Sequence, residues 1–396
     1  MLTRRHAAGL AFLTPALLAK TAPRVAAIVT EYRHWSHADV VVGRLLGGNS
    51  VNGVWHAPRT RVVSLYTDQV PPNDMSRDLA ARHGFRIYPT IREALSDGGS
   101  KLAVDAVVLI GEHGNYPFND LGQHLYPRSE LFHQILDVFE GSGHAVPLFS
   151  DKHLSYSWPK AKAMYDRAQK LKVPFMAGSS IPVSIRQPML QYPLGTKQQS
   201  ALALGYGPLD AYGFHTLEVL QCLAERRGET GVAQVQMLSG TAVWAHHDSA
   251  EGAWTRPLLT AAIARSPSNT KLPAKDAKDP VVFLVHYRDG LKGAAYLLNG
   301  ILSDWAFAGE ANGQIQSTSF GLSSKGRPLP HFDGLVSCIE EFFITGRPTH
   351  PVERTLLTTG ILAAAFASKQ QNSAVVETPE LAISYAAPKN PLIQTA

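Results

Sequence analysis

Cysteine, charge and long apolar runs are all scarce in this sequence, and each scarcity excludes something. Two cysteines among 396 residues, Cys222 and Cys338, supply neither a disulfide framework nor a metal-binding motif. Both lie in apolar, helix-like stretches, so they read as buried thiols acting as small hydrophobes. Charged residues are 17% and hydrophobic ones 45%, an ordinary globular balance rather than the signature of disorder. The net charge of +5 is spread along the chain, with no basic run interleaved with aromatics, which excludes nucleic acid as a partner. No segment carries the ~20 apolar residues needed to span a bilayer.

At 396 residues the chain is too long for one core, and two domains are expected. The N-terminus pairs Thr3-Arg4-Arg5 with a short apolar run, Ala7 to Ala19. A basic start before a short apolar segment is the layout of an export signal, here of the twin-arginine type, over residues 1–22. The mature protein is then expected to be exported or periplasmic. A frayed apolar helix on a cytoplasmic protein is the alternative.

From Arg24 onward, apolar strand-like runs alternate with helical patterns. Arg24 to Thr30, Arg61 to Asp68, Phe85 to Tyr88, Val104 to Gly111, Val146 to Phe149 and Val173 to Ala177 read as strands. His37 to Leu46, Met75 to His83, Ile91 to Leu95, Glu130 to Phe139 and Pro159 to Leu171 read as the helices between them. This alternation predicts a parallel sheet with helices on both faces over 23–180, whose ligands bind beyond the carboxyl ends of the strands. Past residue 180 the texture changes. Leu209 to Ala224 reads as one long helix. Val232 to Trp244 and Val281 to Tyr296 carry strand patterns, the latter broken at the turn Arg288-Asp289-Gly290. Helices follow at Phe332 to Phe343 and Val352 to Ser368, and Ser266 to Lys278 reads as a loop. The second domain, 181–396, is therefore α+β with an open, mostly antiparallel sheet.

Three places carry chemistry. After the strand ending at Gly111 comes a long polar stretch holding Glu112, His113, Asn119, Asp120, His124 and Arg128. Strand-to-helix loops usually run about 2–6 residues, and a long polar loop at such a strand end is a place for binding residues. The next strand leads into Asp151-Lys152-His153, where a buried Lys can polarise a carbonyl or hydroxyl and pass a proton. At the start of the long helix stand Asp210 and His215, the first close to the helix N-terminus and the second one turn in.

Together these places resemble the Gfo/Idh/MocA family of glucose-fructose oxidoreductases and inositol dehydrogenases, over roughly 24–385. Asp151-Lys152-His153 looks like the family's Glu-Lys-Pro motif, with the acid shortened and the Pro replaced. Asp210 to His215 looks like its Asp-x-x-x-His stretch, with one extra residue of spacing. The resemblance implies a doubly wound Rossmann-type domain before the α+β domain. It also implies NAD or NADP as cofactor, a sugar or polyol as substrate, and a homo-oligomer. By resemblance, Lys152 and His215 handle the hydroxyl proton and Asp210 orients the substrate. Glu112, His113, Asp151 and His153 are the substrate-binding candidates, and Arg33, Asp68 and Glu112 the cofactor-binding ones. No metal ligand set is expected.

The family's glycine-rich turn belongs at Thr30 to Ser36, where this sequence reads Thr-Glu-Tyr-Arg-His-Trp-Ser. Without glycine, Tyr32, His34 and Trp35 are expected to obstruct a pyrophosphate and Glu31 to repel it. Arg33 offers a compensating charge, and Asp68 a ribose contact. The alternative function is a non-redox sugar-active lyase, isomerase or hydrolase reusing the same cleft, metal-assisted or not. The histidines near strand ends (His34, His37, His113, His124, His153) favour it.

Overall fold

The computed structural model describes residues 22–229, 231–321 and 329–395. The basic start and apolar run expected to form an export signal, Arg4 to Ala19, lie outside the described residues.

The first half builds β1 (Arg24–Val29), α1 (His37–Gly47), a small hairpin of β2 (Asn49–Val51) and β3 (Val54–His56), and β4 (Arg61–Thr67). Next come α2 (Ser76–His83), β5 (Arg86–Ile87), α3 (Ile91–Ser96), β6 (Ala106–Ile110) and α4 (Arg128–Ser142). It closes with β7 (Leu148–Asp151), α5 (Trp158–Lys170) and β8 (Phe175–Gly178). Six of these strands form one sheet in the order β5-β4-β1-β6-β7-β8, every pair parallel. That is the doubly wound arrangement expected from the alternation. The continuous apolar runs arise because helices cover both faces. Val25, Ala27 and Val29 pack on the side of α1, while Ala26 and Ile28 pack toward α3, α4 and α5.

The second half contributes β9 (Ile185–Gln187), β10 (Gln198–Gly205), α6 (Leu209–Ala224), β11 (Val232–Ser239), α7 (Thr241–Asp248) and α8 (Thr255–Arg265). It continues through β12 (Lys278–Tyr287), β13 (Lys292–Asn299), β14 (Trp305–Ala311) and β15 (Gln314–Gly321). It ends with α9 (His331–Thr345), α10 (Val352–Gln370) and β16 (Val376–Glu377). The strands form an eight-stranded sheet in the order β16-β11-β12-β13-β10-β14-β15-β9, antiparallel except for β10 with β13. Helices α6 and α10 pack on one face, and α8 covers the other through Leu258, Leu259 and Ala262. The turn at Arg288-Asp289-Gly290 joins β12 to β13 as the sequence indicated, with Gly290 at φ 90.

One expectation is corrected. Val232 to Trp244 is not a single strand: β11 stops at Ser239, Gly240 turns at φ 60, and α7 begins. Thr241 and Val243 favour strand by side-chain shape, but Val243 is buried against Leu258 and its neighbours, and packing decides. Both cysteines are free and buried, as read.

Helix α9 returns to the first sheet. Its Leu335, Val336, Ile339 and Phe342 join Val25, Ala27 and α1 in one core. Each fully buried side chain of this size contributes about 1.5–3 kcal/mol. Phe332, in the first turn of α9, thereby stands beside the carboxyl ends of the strands.

Candidate active site

The carboxyl ends of β6, β7 and β8 face the N-terminal half of α6, and a cavity of about 220 Å3 lies there. Its wall includes Glu112, His113, Lys152 and His215, all singled out from the sequence. It also includes Trp35, His37, Ser180, Tyr206, Tyr212 and Trp305.

Consecutive residues at the end of β7 hold two imidazoles from different parts of the chain. Asp151 Oδ2 is 2.5 Å from His37 Nδ1, on the first turn of α1. Lys152 Nζ is 2.7 Å from His215 Nε2, on α6. Lys152 has a left-handed φ of 69, which turns it away from the strand path of Asp151. Such a conformation costs a non-glycine residue roughly 1–3 kcal/mol and marks sites where structure serves function. The Lys152 N–H donates to Gly178 O at 3.2 Å, tying β7 to β8. Gly178 has φ 138, and a Cβ there would lie 2.8 Å from Thr355 Oγ1 and 3.1 Å from Glu218 Oε2, so a side chain would push β8 off α6 and α10.

The other ring nitrogen of His215, Nδ1, lies 2.6 Å from Ser179 Oγ. Burial and the neighbouring Lys152 hold the His215 imidazole well below its usual range, so it is neutral. A neutral ring accepting from Lys152 at Nε2 carries its proton on Nδ1 and donates to Ser179. Glu112 Oε1 stands 3.7 Å from Lys152 Nζ, and Glu112 Oε2 pairs with Arg128 Nη2. Burial pushes the Glu112 carboxyl up, but Lys152 and Arg128 outweigh it and hold it well below the usual carboxylate range. Glu112 is therefore a fixed anion between two cations.

Asp210 and His153 do not line the cavity. Arg128 Nη1 lies 3.2 Å from His153 Nε2, and His153 Nε2 lies 3.7 Å from Asp210 Oδ1. Burial and Arg128 hold His153 well below its usual range, so it makes no ion pair with Asp210. Burial pushes the Asp210 carboxyl up to about 6, against the pull of Arg128. Its Oδ2 accepts from the His124 N–H at 3.2 Å. These two residues form a buried layer behind Arg128. The long loop is held largely by its own bonds: Asn119 Oδ1 accepts from the N–H groups of Leu121 and Gln123, and His124 Nε2 lies 2.8 Å from Tyr116 O. His113 does reach the cavity, where burial and His37 bring it down to about 3.

The turn after β1 differs from what bulk alone suggested. Tyr32 does not obstruct, because its ring is fully buried in the core with α1. Glu31 is buried and paired with Arg33 Nε at 2.6 Å. His34 and Trp35 are exposed, Trp35 with φ 61. Several donors of the turn are already engaged. Arg33 N donates to Ser36 Oγ at 3.2 Å, Trp35 N to Asp39 Oδ2 at 2.9 Å, and Asp39 N to Ser36 Oγ at 3.3 Å. His37 N donates to His113 Nδ1 at 3.3 Å. A helix N-terminus holds phosphate through free N–H groups and its dipole. Here the His37 and Asp39 N–H groups are bonded internally and the Asp39 carboxylate stands in the same first turn, so the turn does not fit a pyrophosphate. Asp68, the candidate ribose ligand, accepts from Tyr66 at 2.9 Å and Tyr116 at 2.5 Å. Among the described residues, no group of three or more His, Cys, Asp or Glu side chains is placed to hold a metal ion. No described helix is long and apolar enough to cross a membrane.

Ser179, Tyr206, Tyr212 and Trp305 escaped the sequence reading. Tyr212 had a signal, since Gly207 sits nearby at φ 90 and a Cβ there would meet the Tyr212 ring at 2.3 Å. Trp305, at the start of β14, stacks on Tyr212 at 5.5 Å between centroids. Nothing local in the sequence marks it.

No family model matches the sequence, and no curated protein matches it. Solved structures do. GenD2 from gentamicin A biosynthesis, in complex with NAD, is 16% identical with a TM-score of 0.57, over 90% of this chain and 96% of that one. An oxidoreductase from Agrobacterium radiobacter, in complex with NAD+, L-tartaric acid and magnesium, is 13% identical with a TM-score of 0.56, over 90% and 98%. The myo-inositol dehydrogenase of Lactobacillus casei, in complex with NAD(H) and myo-inositol, is 12% identical with a TM-score of 0.54, over 90% and 96%. The likeness is one of fold, and it agrees with the α/β architecture expected from the sequence.

Proposed function

We propose that this chain is an oxidoreductase acting on a hydroxyl of a sugar- or polyol-like small molecule, with NAD(H) or NADP(H) as partner and Lys152 and His215 at the reacting oxygen. The observation that carries the reading is the Lys152–His215 contact inside a cavity at the strand ends. Structures of the same fold complexed with NAD and with myo-inositol support it. A nicotinamide supplies hydride exchange in such an enzyme, and the residues of this chain handle the proton.

Their roles follow from the charges. With His215 neutral, the proton shared by the pair sits on Lys152. Its ammonium polarises a substrate carbonyl, stabilises an alkoxide, or donates to that alkoxide. Ser179 fixes the His215 ring. Glu112 stands 3.7 Å from Lys152 Nζ, and Arg128 keeps Glu112 in place. Tyr206, Tyr212 and Trp305 offer aromatic faces and hydroxyls suited to a carbohydrate-sized molecule.

The non-redox alternative keeps the same acid–base residues. It is favoured by one observation, the internally bonded turn after β1. In the redox reading the phosphates lie off that turn, with Arg33 as the nearby cation. Turnover separates the two. The purified chain is given NAD+ or NADP+ and a panel of polyols that includes myo-inositol, and reduced nicotinamide is followed by absorbance. The redox reading predicts reduction that disappears in Lys152→Met. Polyol or sugar conversion with no nucleotide present would establish the alternative.

A further inference from the structure

His37 is absent from the assignments above, yet it has the features of a reactive group. It opens α1, lines the cavity, and is gripped at Nδ1 by Asp151 at 2.5 Å. Asp151 is itself buried. The ring packs edge-on against Phe332 at 5.0 Å and lies tilted against His113 at 5.2 Å. Its orientation is thus set from three sides. Among the described residues, Nε2 has no hydrogen-bond partner. A carboxylate accepting from Nδ1–H fixes the tautomer that leaves Nε2 with a lone pair, and it stabilises the imidazolium formed when Nε2 takes a proton.

The cavity has a use for such a group. Lys152 donates to His215 and meets a substrate as a hydrogen-bond donor. His215 has Nε2 bonded to Lys152 and Nδ1 to Ser179. Glu112 is bound by Arg128 and Lys152, and the His113 Nδ1 accepts from the His37 N–H.

We propose that His37, held by Asp151, is the proton acceptor of this active site, working beside Lys152 as donor. The inference rests on the proposed reaction only in placing substrate in this cavity. A substrate O–H breaks heterolytically, and its electron pair stays on oxygen beside the Lys152 ammonium. The proton goes to His37 Nε2, and Asp151 balances the imidazolium charge. Chain position makes the pairing economical: one strand end, Asp151-Lys152, sets both the acceptor and the donor.

The test uses the full-length wild-type protein and diethyl pyrocarbonate, which acylates accessible, unprotonated imidazole nitrogen. Peptide mapping by mass spectrometry after brief exposure near neutral pH reads each histidine, and fragmentation separates His37 from exposed His34. The expected result is acylation of His37 in the folded protein at least ten-fold faster than of His153 or His215. Histidine-labelled NMR should show the neutral His37 ring protonated at Nδ1. A His37 that reacts only after unfolding, or a neutral ring protonated at Nε2, overturns the proposal. The result is independent of nucleotide. A reactive His37 in a protein that binds no nucleotide keeps this inference and removes the redox reading; an inert His37 in a nucleotide-binding protein does the reverse.

Discussion

Lys152 Nζ and His215 Nε2 meet at 2.7 Å although 63 residues separate them in the chain. One comes from the end of a parallel strand and the other from α6, the first α-helix of the second half. The contact therefore exists only when both halves are folded and docked. Lys152→Met should keep the fold, because Glu112 retains Arg128, and should lower kcat by roughly 10²–10⁴, the range for a lost proton-transfer group. Steady-state kinetics with circular dichroism on the same sample checks both parts.

Ser179 acts through His215. Its Oγ sits 2.6 Å from His215 Nδ1 and also accepts from the Ile181 N–H at 3.0 Å. Ser179→Ala leaves a buried N–H on each side unpaired, at about 1–3 kcal/mol apiece. We expect kcat to fall while KM holds, and Ser179→Thr to recover part of the loss. An equal fall in Ser179→Thr and Ser179→Ala would mean packing, not the hydroxyl, is what matters.

Asp210 gives a stability prediction with a definite sign. Its carboxyl rises from 3.8 to about 6 on folding because it is buried. The protonated form suits the fold, so the favourable contribution is complete below about pH 4 and is lost as pH climbs through 6. Asp210→Asn keeps an acceptor for the His124 N–H and removes the charge. It should raise the unfolding midpoint at pH 8 by the equivalent of at most about 3 kcal/mol, at 1.36 kcal/mol per pKa unit, and change little at pH 4. Denaturant titrations at the two pH values read the difference.

The buried histidines have the opposite sign. His113, His153 and His215 are all depressed by burial, and their contribution is complete above the usual histidine value of 6.5. It is lost as pH falls from 6.5 toward 3, the range set by His113. Stability should therefore drop between pH 7 and pH 4.5, outweighing the single carboxyl of Asp210. His153→Gln should flatten that slope, since its side-chain oxygen still accepts from Arg128. Urea midpoints against pH give the comparison.

Much of this was legible in the sequence. The alternation over residues 24–178 gave the parallel sheet, and Leu209 to Ala224 marks the bounds of α6. Lys152 and His215 were legible because a strand end and a helix start are where such folds put chemistry. The strand reading past Ser239 missed a helix because Thr241 and Val243 carry strand-like side chains whose fate is decided by packing. Bulk at Tyr32 and charge at Glu31 were read as obstacles, but burial turns one inward and Arg33 neutralises the other. The real impediment, donors of the turn bonded to Ser36, Asp39 and His113, depends on backbone geometry and on a loop about 75 residues away. His37 shows the same limit. It was one histidine among several, and only the approach of Asp151 separates it from the rest.

The redox proposal places nicotinamide chemistry beside a turn whose own N–H groups are bonded to Ser36, Asp39 and His113. Native mass spectrometry of the purified full-length protein, with NAD(H) and NADP(H) each added in turn, tests it most directly. The account predicts one nucleotide bound per chain, with binding weakened in Arg33→Ala. A protein that stays bare with both nucleotides would contradict the redox reading and leave the Lys152–His215 cavity to a non-redox enzyme.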